Sequence, residues 1–227
     1  MINVCIPVLR RYDLLRELLL SLVDSTVTPS TIYILDNGRN PDELASAIAD
    51  TIERQVHIEI YRPRIAMGVA ASWNWFLNNA PEEWLIANDD ILFAPQSLER
   101  MLSTPGDLVL GFGYSCYLLR RSCVDKVGYF DESISPGYGY FEDCDYMERI
   151  HRECDAGRHV YCANAEGTGL MHGRNGAGSQ TWQAGTDDEI RAHWRKFDTA
   201  KANFVTKWGA EPHVLVAQRE ARMAVAK

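Results

Sequence analysis

Residues 84–90, Trp84-Leu85-Ile86-Ala87-Asn88-Asp89-Asp90, join a short apolar run to two adjacent carboxylates, and Ile91, Leu92 and Phe93 follow at once. Four apolar residues bounded by polar ones read as a buried strand. Buried charge is costly without a partner, so acids at the edge of a core call for one. A divalent cation carrying phosphates fits, because hard cations take carboxylate oxygens as ligands. A second reading is local: Asn and Asp are favoured helix N-caps, and a helix over residues 91–102 would use them in that way.

Upstream of this stretch, residues 3–9 read as a first strand ending near Pro7, and residues 12–23 carry Leu14, Leu15, Leu18, Leu19 and Leu22 at helical spacing. Thr31 to Leu35 is a second strand, stopped by the turn signal Asp36-Asn37-Gly38. A helix over 42–53, a strand from Val56 to Tyr61 and a helix from Gly68 to about Asn78 complete the half. This βαβα alternation with apolar strands is the pattern of an α/β fold, a mostly parallel sheet covered by helices. Ligands in such sheets lie beyond the carboxyl ends of the strands. Three of those ends are polar, at Pro7 to Arg11, at Asp36-Asn37 and at Asn88-Asp89-Asp90, and they can meet in one crevice. No G-x-G-x-x-G follows the first strand, which argues against a dinucleotide fold.

Downstream the pattern is less regular. Residues 108–119 read as a strand pair or a bent strand, 120–127 as a short helix and 128–132 as a turn. A Gly/Tyr loop from Pro136 to Tyr140 leads into a helix from Phe141 to about His151, then a strand from His159 to Ala163. Residues 173–186 are rich in Gly, Ser, Asn and Thr and read as a mobile loop. Helices are expected over 187–208, ended by Gly209, and over 213–226.

A chain of 227 residues suits one large domain, or one domain with an appendage. With 23 basic and 31 acidic residues the net charge is −8, which disfavours a broad nucleic-acid footprint. It leaves room for a small basic site, and Arg10, Arg11, Arg62 and Arg64 lie near the strand ends. No stretch approaches transmembrane length, and the N-terminus lacks the marks of a signal peptide, so the expected location is cytoplasmic. The six cysteines show no zinc-type spacing and are expected to be reduced and mostly buried.

Taken in order, several short motifs form a recognisable series. They are Ile6-Pro7-Val8, Leu35-Asp36-Asn37-Gly38, Gly68-Val69-Ala70-Ala71-Ser72-Trp73-Asn74 and Asn88-Asp89-Asp90. Gly128-Tyr129-Phe130-Asp131-Glu132, Phe141-Glu142-Asp143-Cys144-Asp145, Met171-His172 and Lys207-Trp208-Gly209 follow. Over residues 2 to 209 the chain resembles family 2 glycosyltransferases of the GT-A fold, inverting enzymes that use nucleotide-sugar donors. Two departures stand out: the first strand leads into Leu9-Arg10-Arg11-Tyr12, and the second ends in one clear acid, Asp36, where two often stand.

The resemblance implies a Rossmann-like GT-A domain over 1–186 and a C-terminal helical extension over 187–227. Within the domain, 1–90 would bind the nucleotide sugar and 91–186 the acceptor. It implies Mn²⁺ or Mg²⁺ held by Asp90 and His172, to neutralise the leaving nucleoside diphosphate as a Lewis acid. Asp89 would lie against the ribose or a metal-bound water. Asp143 would take the proton of the acceptor hydroxyl, and Glu142 would position acceptor or donor. The local alternative for this pair is two acids stabilised by a helix macrodipole.

By the same resemblance Asp36 reads the base, with the uracil imide as favoured partner. Pro7, Val8, Leu9, Arg11, Gly68 and Asn88 line the donor, Arg64 and Asn74 touch its phosphate or sugar, and Arg174 clamps the diphosphate. The 173–186 loop would close as a lid. Tyr138 and Tyr140, in the loop before the acidic pair, and Trp182, in a polar loop, are the acceptor candidates, whereas Trp73 and Trp75 read as core or wall and Asp145 as structural.

The expected activity is metal-dependent inverting transfer from a nucleotide sugar, a UDP-sugar favoured, to a hydroxyl of a glycan, lipid-linked sugar, protein or modified nucleobase. The C-terminal helices would pack over the domain, dock the acceptor or build a homo-oligomer. Two rival readings are a nucleotidyltransferase and a non-catalytic nucleotide- or sugar-binding protein. The first needs a glycine-rich phosphate loop, and Leu9-Arg10-Arg11-Tyr12 has no glycine.

Overall fold

The apolar runs become strands in the alternating order expected. A computed structural model describes residues 2–177 and 186–225. Strands β1 (Asn3–Val8), β2 (Thr31–Asp36), β3 (His57–Tyr61) and β4 (Trp84–Ala87) alternate with helices α1 (Tyr12–Val23), α2 (Pro41–Glu53) and α3 (Val69–Asn79). After β5 (Ile91–Leu92) and α4 (Ser97–Ser103) come β6 (Leu108–Leu110), β7 (Cys116–Leu119), α5 (Arg121–Val127), α6 (Glu142–Asp155), β8 (Cys162–Asn164) and β9 (Met171–His172). Two helices, α7 (Asp187–Trp208) and α8 (Pro212–Val225), close the chain. No described helix is long and apolar enough to cross a membrane.

Seven strands form one sheet in the order β3-β2-β1-β4-β7-β6-β8. The first four run parallel, and β7 is antiparallel to both of its neighbours. Strand side chains alternate between two cores, as the period of two requires. Val4, Ile6, Ile32, Ile34, Leu85 and Ala87 join the leucines of α1 on one face. Cys5, Tyr33, Leu35, Trp84 and Ile86 meet Trp73, Phe76 and Tyr146 on the other. Trp73 is therefore core, and Trp75 is a wall residue stacked on Tyr61 at 4.5 Å. All six cysteines are free thiols, three of them buried.

Two local expectations are corrected. Residues 91 and 92 are not helical: they form β5, and the following helix starts only at Ser97, with Gln96 at its N-cap. Asn88, Asp89 and Asp90 therefore cap no helix. The strand expected from His159 lies three residues later, at Cys162–Asn164, where its partner β6 fixes the register Leu108↔Cys162.

The C-terminal helices are fastened to the domain by the late motifs. The buried carboxylate of Asp145 accepts from Trp208 Nε1 at 2.9 Å and from Arg149 Nε at 2.9 Å, and Lys207 Nζ lies 2.6 Å from it. The same lysine reaches Asp131 in the Gly128–Glu132 turn at 2.6 Å. A carboxylate with no solvent exposure needs such donors. Asp145 is thus structural, and its motif and the Lys207-Trp208 motif are two halves of one clamp.

Candidate active site

The acids that open the argument sit where β4 leaves the sheet. Asp89 and Asp90 are 4% and 2% exposed. β5 pairs antiparallel with β9, setting Ile91 opposite His172, and the amide of Gly173 donates to the Asp90 carbonyl at 2.7 Å. This two-stranded ribbon carries His172 Nε2 to 3.1 Å from Asp90 Oδ1, with the two side chains 12% and 1% exposed. A carboxylate and an imidazole are suitable first-row metal ligands. Among the described residues no cluster of three or more His, Cys, Asp or Glu side chains forms a metal cage. Two protein ligands suit a cation that keeps waters and takes the rest of its shell from substrate phosphates.

The β6–β7 hairpin lies between this corner and the acidic pair. Asn88 N donates to Ser115 O at 2.8 Å, and the Phe112 ring stands edge-on to His172 with centroids 5.4 Å apart. Two residues further on, Tyr114 lines a cavity together with Asp143. One short hairpin therefore meets the Asp90–His172 corner and also borders the cavity that Asp143 lines.

At the start of α6 the two carboxyls live in different surroundings. Phe141, the N-cap, takes a left-handed conformation at φ 64°, ψ 0°, rare for a bulky residue and here braced by the Phe197 and Phe204 rings. The bend lets the Glu142 carboxyl fold back to accept from Tyr140 N at 2.6 Å. Burial first, and the neighbouring charge of Asp143 second, push Glu142 from 4.5 up to about 8. Glu142 thus holds its proton at neutral pH. Asp143 is only half-buried, accepts from Cys144 N at 2.7 Å and faces the cavity.

On the donor side, the end of β1 brings Pro7, the buried Val8 and the exposed Leu9 beside the end of β2. A Cβ on Gly38 would stand 2.1 Å from Leu9 O, so only glycine allows this crossing. Asp36 is wholly buried and committed: it accepts from the Tyr12 hydroxyl, from Arg39 N at 2.9 Å and from Arg62 Nε at 2.7 Å. Arg64 is exposed, and its carbonyl accepts from Arg39 at 2.7 Å. Gly68 packs under Tyr138, where a Cβ would come within 2.6 Å of the Tyr138 carbonyl oxygen.

Asn74, expected to touch the donor, is bonded to the 128–132 turn. Its amide nitrogen donates to Phe130 O and to Glu132 Oε1, each at 2.9 Å, while its oxygen accepts from Phe130 N at 2.9 Å. Both N–H groups are spent on the 128–132 turn, so its task here is to hold that turn.

Arg11 and Arg174 converge from opposite sides on Asp13. Arg11 grips it bidentately at 2.8 and 2.7 Å, and Arg174 Nη2 reaches it at 3.0 Å and Glu17 at 2.6 Å. The hydrogen bonds to Asp13 chiefly raise the Arg11 pKa, and the field of Asp89 adds to this. Two guanidinium groups thus stand beside the Asp89–Asp90 corner.

The tyrosines lie under α7. The Tyr140 hydroxyl pairs with His193, its ring packs on Phe197 at 5.0 Å, and burial raises its pKa to about 12. Tyr138 gives its carbonyl to Val69 N at 2.9 Å and its ring face to Lys196 at 5.5 Å. Trp182 and most of the expected lid lie outside the described residues.

Residues 3–115, about half of the chain, match the family model described as glycosyl transferase family 2. The chain belongs to that family. No curated protein matches it in sequence. Among solved structures it is similar to the mannosyltransferase PcManGT from Pyrobaculum calidifontis in complex with GDP-Man and Mn²⁺. The identity is 15%, the TM-score 0.59, and the match covers 99% of this chain and 80% of that one. It is also similar to S. aureus TarS 1-349 in complex with UDP-GlcNAc, at 12% identity and TM-score 0.58, over 90% of this chain and 66% of that one. A third likeness is GalNAc-T7 with UDP, GalNAc and Mn²⁺, at 9% identity and TM-score 0.60, over 86% of this chain and 47% of that one. At these identities the likeness is one of fold: a GT-A sheet flanked by helices, here followed by a helix pair.

In this family 2 glycosyltransferase the contacts of five residues around the site leave no signal in the sequence. Phe112 and Tyr114 sit in a hairpin with no motif around them. Arg62 and Tyr12 were not linked to Asp36, because nothing in the spacing announces a tertiary ion pair. Arg219 of α8, which pairs with Glu148, left no signal beyond an amphipathic helix.

Proposed function

We propose that the chain is a metal-dependent inverting glycosyltransferase that moves a sugar from a nucleotide donor, a UDP-sugar favoured, to an acceptor hydroxyl. The observation that carries this reading is the meeting of Asp90 and His172 at 3.1 Å, on a strand end and joined by one hairpin to Asp143. Family membership supports nucleotide-sugar transfer, and two of the similar structures hold Mn²⁺.

Asp90 and His172 would hold the cation, with Asp89 beside it. A divalent cation at this place supplies charge neutralisation for the departing diphosphate. Arg11 and Arg174 offer planar forks to the same phosphates once they exchange Asp13 for them. Asp143 is the base. It accepts the proton of the acceptor hydroxyl as that oxygen attacks the anomeric carbon from the face opposite the diphosphate, which inverts the centre. Glu142, kept protonated, neither repels the diphosphate nor competes for the proton, and its place behind Tyr140 N shapes the turn that aims Asp143. The base of the nucleotide belongs at the Asp36 corner. An imide N–H gains an oxygen there when the Arg62 pair opens.

A panel of nucleotide sugars with Mn²⁺, scored by thermal shift, tests donor choice. Stabilisation by UDP-sugars above GDP-sugars agrees with the proposal, and the reverse order removes the uridine preference while leaving the reaction class.

A further inference from the structure

Between α6 and α8 lies a cavity of about 250 Å³ lined by Tyr114, Asp143, Cys144, Met147, Glu148, His151, Pro212, Val216 and Arg219. Its α6 members follow helical spacing, so Asp143 and His151 stand about two turns apart on the same face. Its far wall belongs to α8, fastened across the cavity by Arg219 and Glu148. The Tyr114 hydroxyl is buried and has no hydrogen-bond partner among the described residues. With less than 1 Å² accessible that hydroxyl lies within the core, so the ring of Tyr114, and not its hydroxyl, borders the cavity. His151 is held toward its neutral form by burial and then by Arg219. Met147, Pro212 and Val216 give the remaining wall an apolar character.

We propose that this cavity is the acceptor pocket and that it takes one pyranose ring, the terminal sugar of a glycan or of a lipid-linked sugar. The assignment rests on the glycosyltransferase reading above. The volume falls below the roughly 300–1,000 Å³ of sites for drug-sized ligands, so it suits a single ring. A pyranose has hydroxyl edges and apolar C–H faces. The edges match His151 and the Arg219–Glu148 pair, and the faces match the Tyr114 ring, Met147, Pro212 and Val216. One hydroxyl of the seated ring lies at Asp143. Its oxygen forms the new bond to the anomeric carbon and its proton passes to the Asp143 carboxylate. The bond from that carbon to the diphosphate breaks with its electron pair on the leaving group. The C-terminal helix is thus a specificity element.

The test needs no turnover. Saturation-transfer NMR with the full chain probes methyl glycosides of glucose, galactose, mannose and N-acetylglucosamine, and the matching octyl glycosides. At least one glycoside is expected to bind. Val216→Trp fills the cavity from its solvent side and should weaken that binding about tenfold or more. His151→Phe keeps a ring of similar bulk, removes the ring nitrogens and should weaken it about fivefold, the loss of one neutral hydrogen bond. Preference for octyl over methyl glycosides assigns the ring to a lipid-linked acceptor, and parity assigns it to a glycan end. Unchanged melting midpoints show that both variants are folded. No binding by any glycoside, or binding indifferent to Val216→Trp, overturns the pocket. Diphosphate release from nucleotide sugars is read separately. Glycoside binding without any release sinks the transferase reading and leaves the pocket. Release with binding and acceptor KM unmoved in Val216→Trp sinks the pocket and leaves the transferase.

Discussion

Glu142 and Asp143 are adjacent carboxyls in opposite surroundings. Glu142 is buried against Tyr140 N with a pKa near 8, while Asp143 faces an open cavity. Asp143→Asn keeps the shape and removes the proton acceptor, so transfer should fall by about 10²–10⁴ while nucleotide affinity stays within a few-fold. Single-turnover transfer and calorimetric nucleotide titration read the two quantities apart. Glu142 makes a separate prediction about stability. Its folded pKa lies above its unfolded value, so the folded form holds more protons between about pH 4.5 and 8, and stability drains away as pH rises through that window. Glu142→Gln should flatten this slope in urea melts taken from pH 5 to 9, and an unchanged slope would exclude Glu142 as its source. Sequence spacing could pick out the acidic pair but not its division, because the division comes from burial. The same holds for Asn74 and Asp36. Each was legible as a polar residue at a helix start or strand end, but their partners Phe130, Glu132, Tyr12 and Arg62 are tertiary contacts.

At the scale of elements, the parallel half was almost fully legible. Its inner strands β1, β2 and β4 are largely apolar on both faces, the edge strand β3 alternates Ile with polar residues, and its helices carry apolar stripes, so local pattern and final state agree. His172 reads as a strand end, as β9 bears out, but β5 and its pairing with β9 were not legible, since two-residue strands have no period and exist only through each other. Yet that ribbon is what brings His172 to Asp90. The crossing of β1 and β2 at Gly38 is a further element-level constraint. Gly38→Ala would press a Cβ onto the Leu9 backbone, which cannot swing aside as a side chain would, and should cost about 1–3 kcal/mol by denaturant melts. Nucleotide affinity should fall with it, because the displaced backbone carries Leu9 to Arg11. A fully stable Gly38→Ala variant would show that the two loops do not cross so closely.

Across the whole molecule, the clamp of Asp131, Asp145, Lys207 and Trp208 ties the C-terminal helices to the 128–132 turn and to α6. The family resemblance flagged these residues, and only the fold shows that they meet. Trp208→Phe keeps most of the apolar bulk and removes the indole donor from a buried carboxylate, a loss of about 1–3 kcal/mol in denaturant melts. Since α8 walls the cavity beside Asp143, the same variant should raise the acceptor KM more than the donor KM. The central claim spans both halves of the chain: Asp90, from the first, and His172, from the second, hold a divalent cation against a nucleotide sugar. The most direct test is release of nucleoside diphosphate from UDP- and GDP-sugars by the purified chain with Mn²⁺, repeated with EDTA and with Asp90→Ala. The account predicts release that stops in EDTA, returns when Mn²⁺ is restored and is lost in Asp90→Ala. Release that ignores EDTA, or that survives in Asp90→Ala at the wild-type rate, would contradict it.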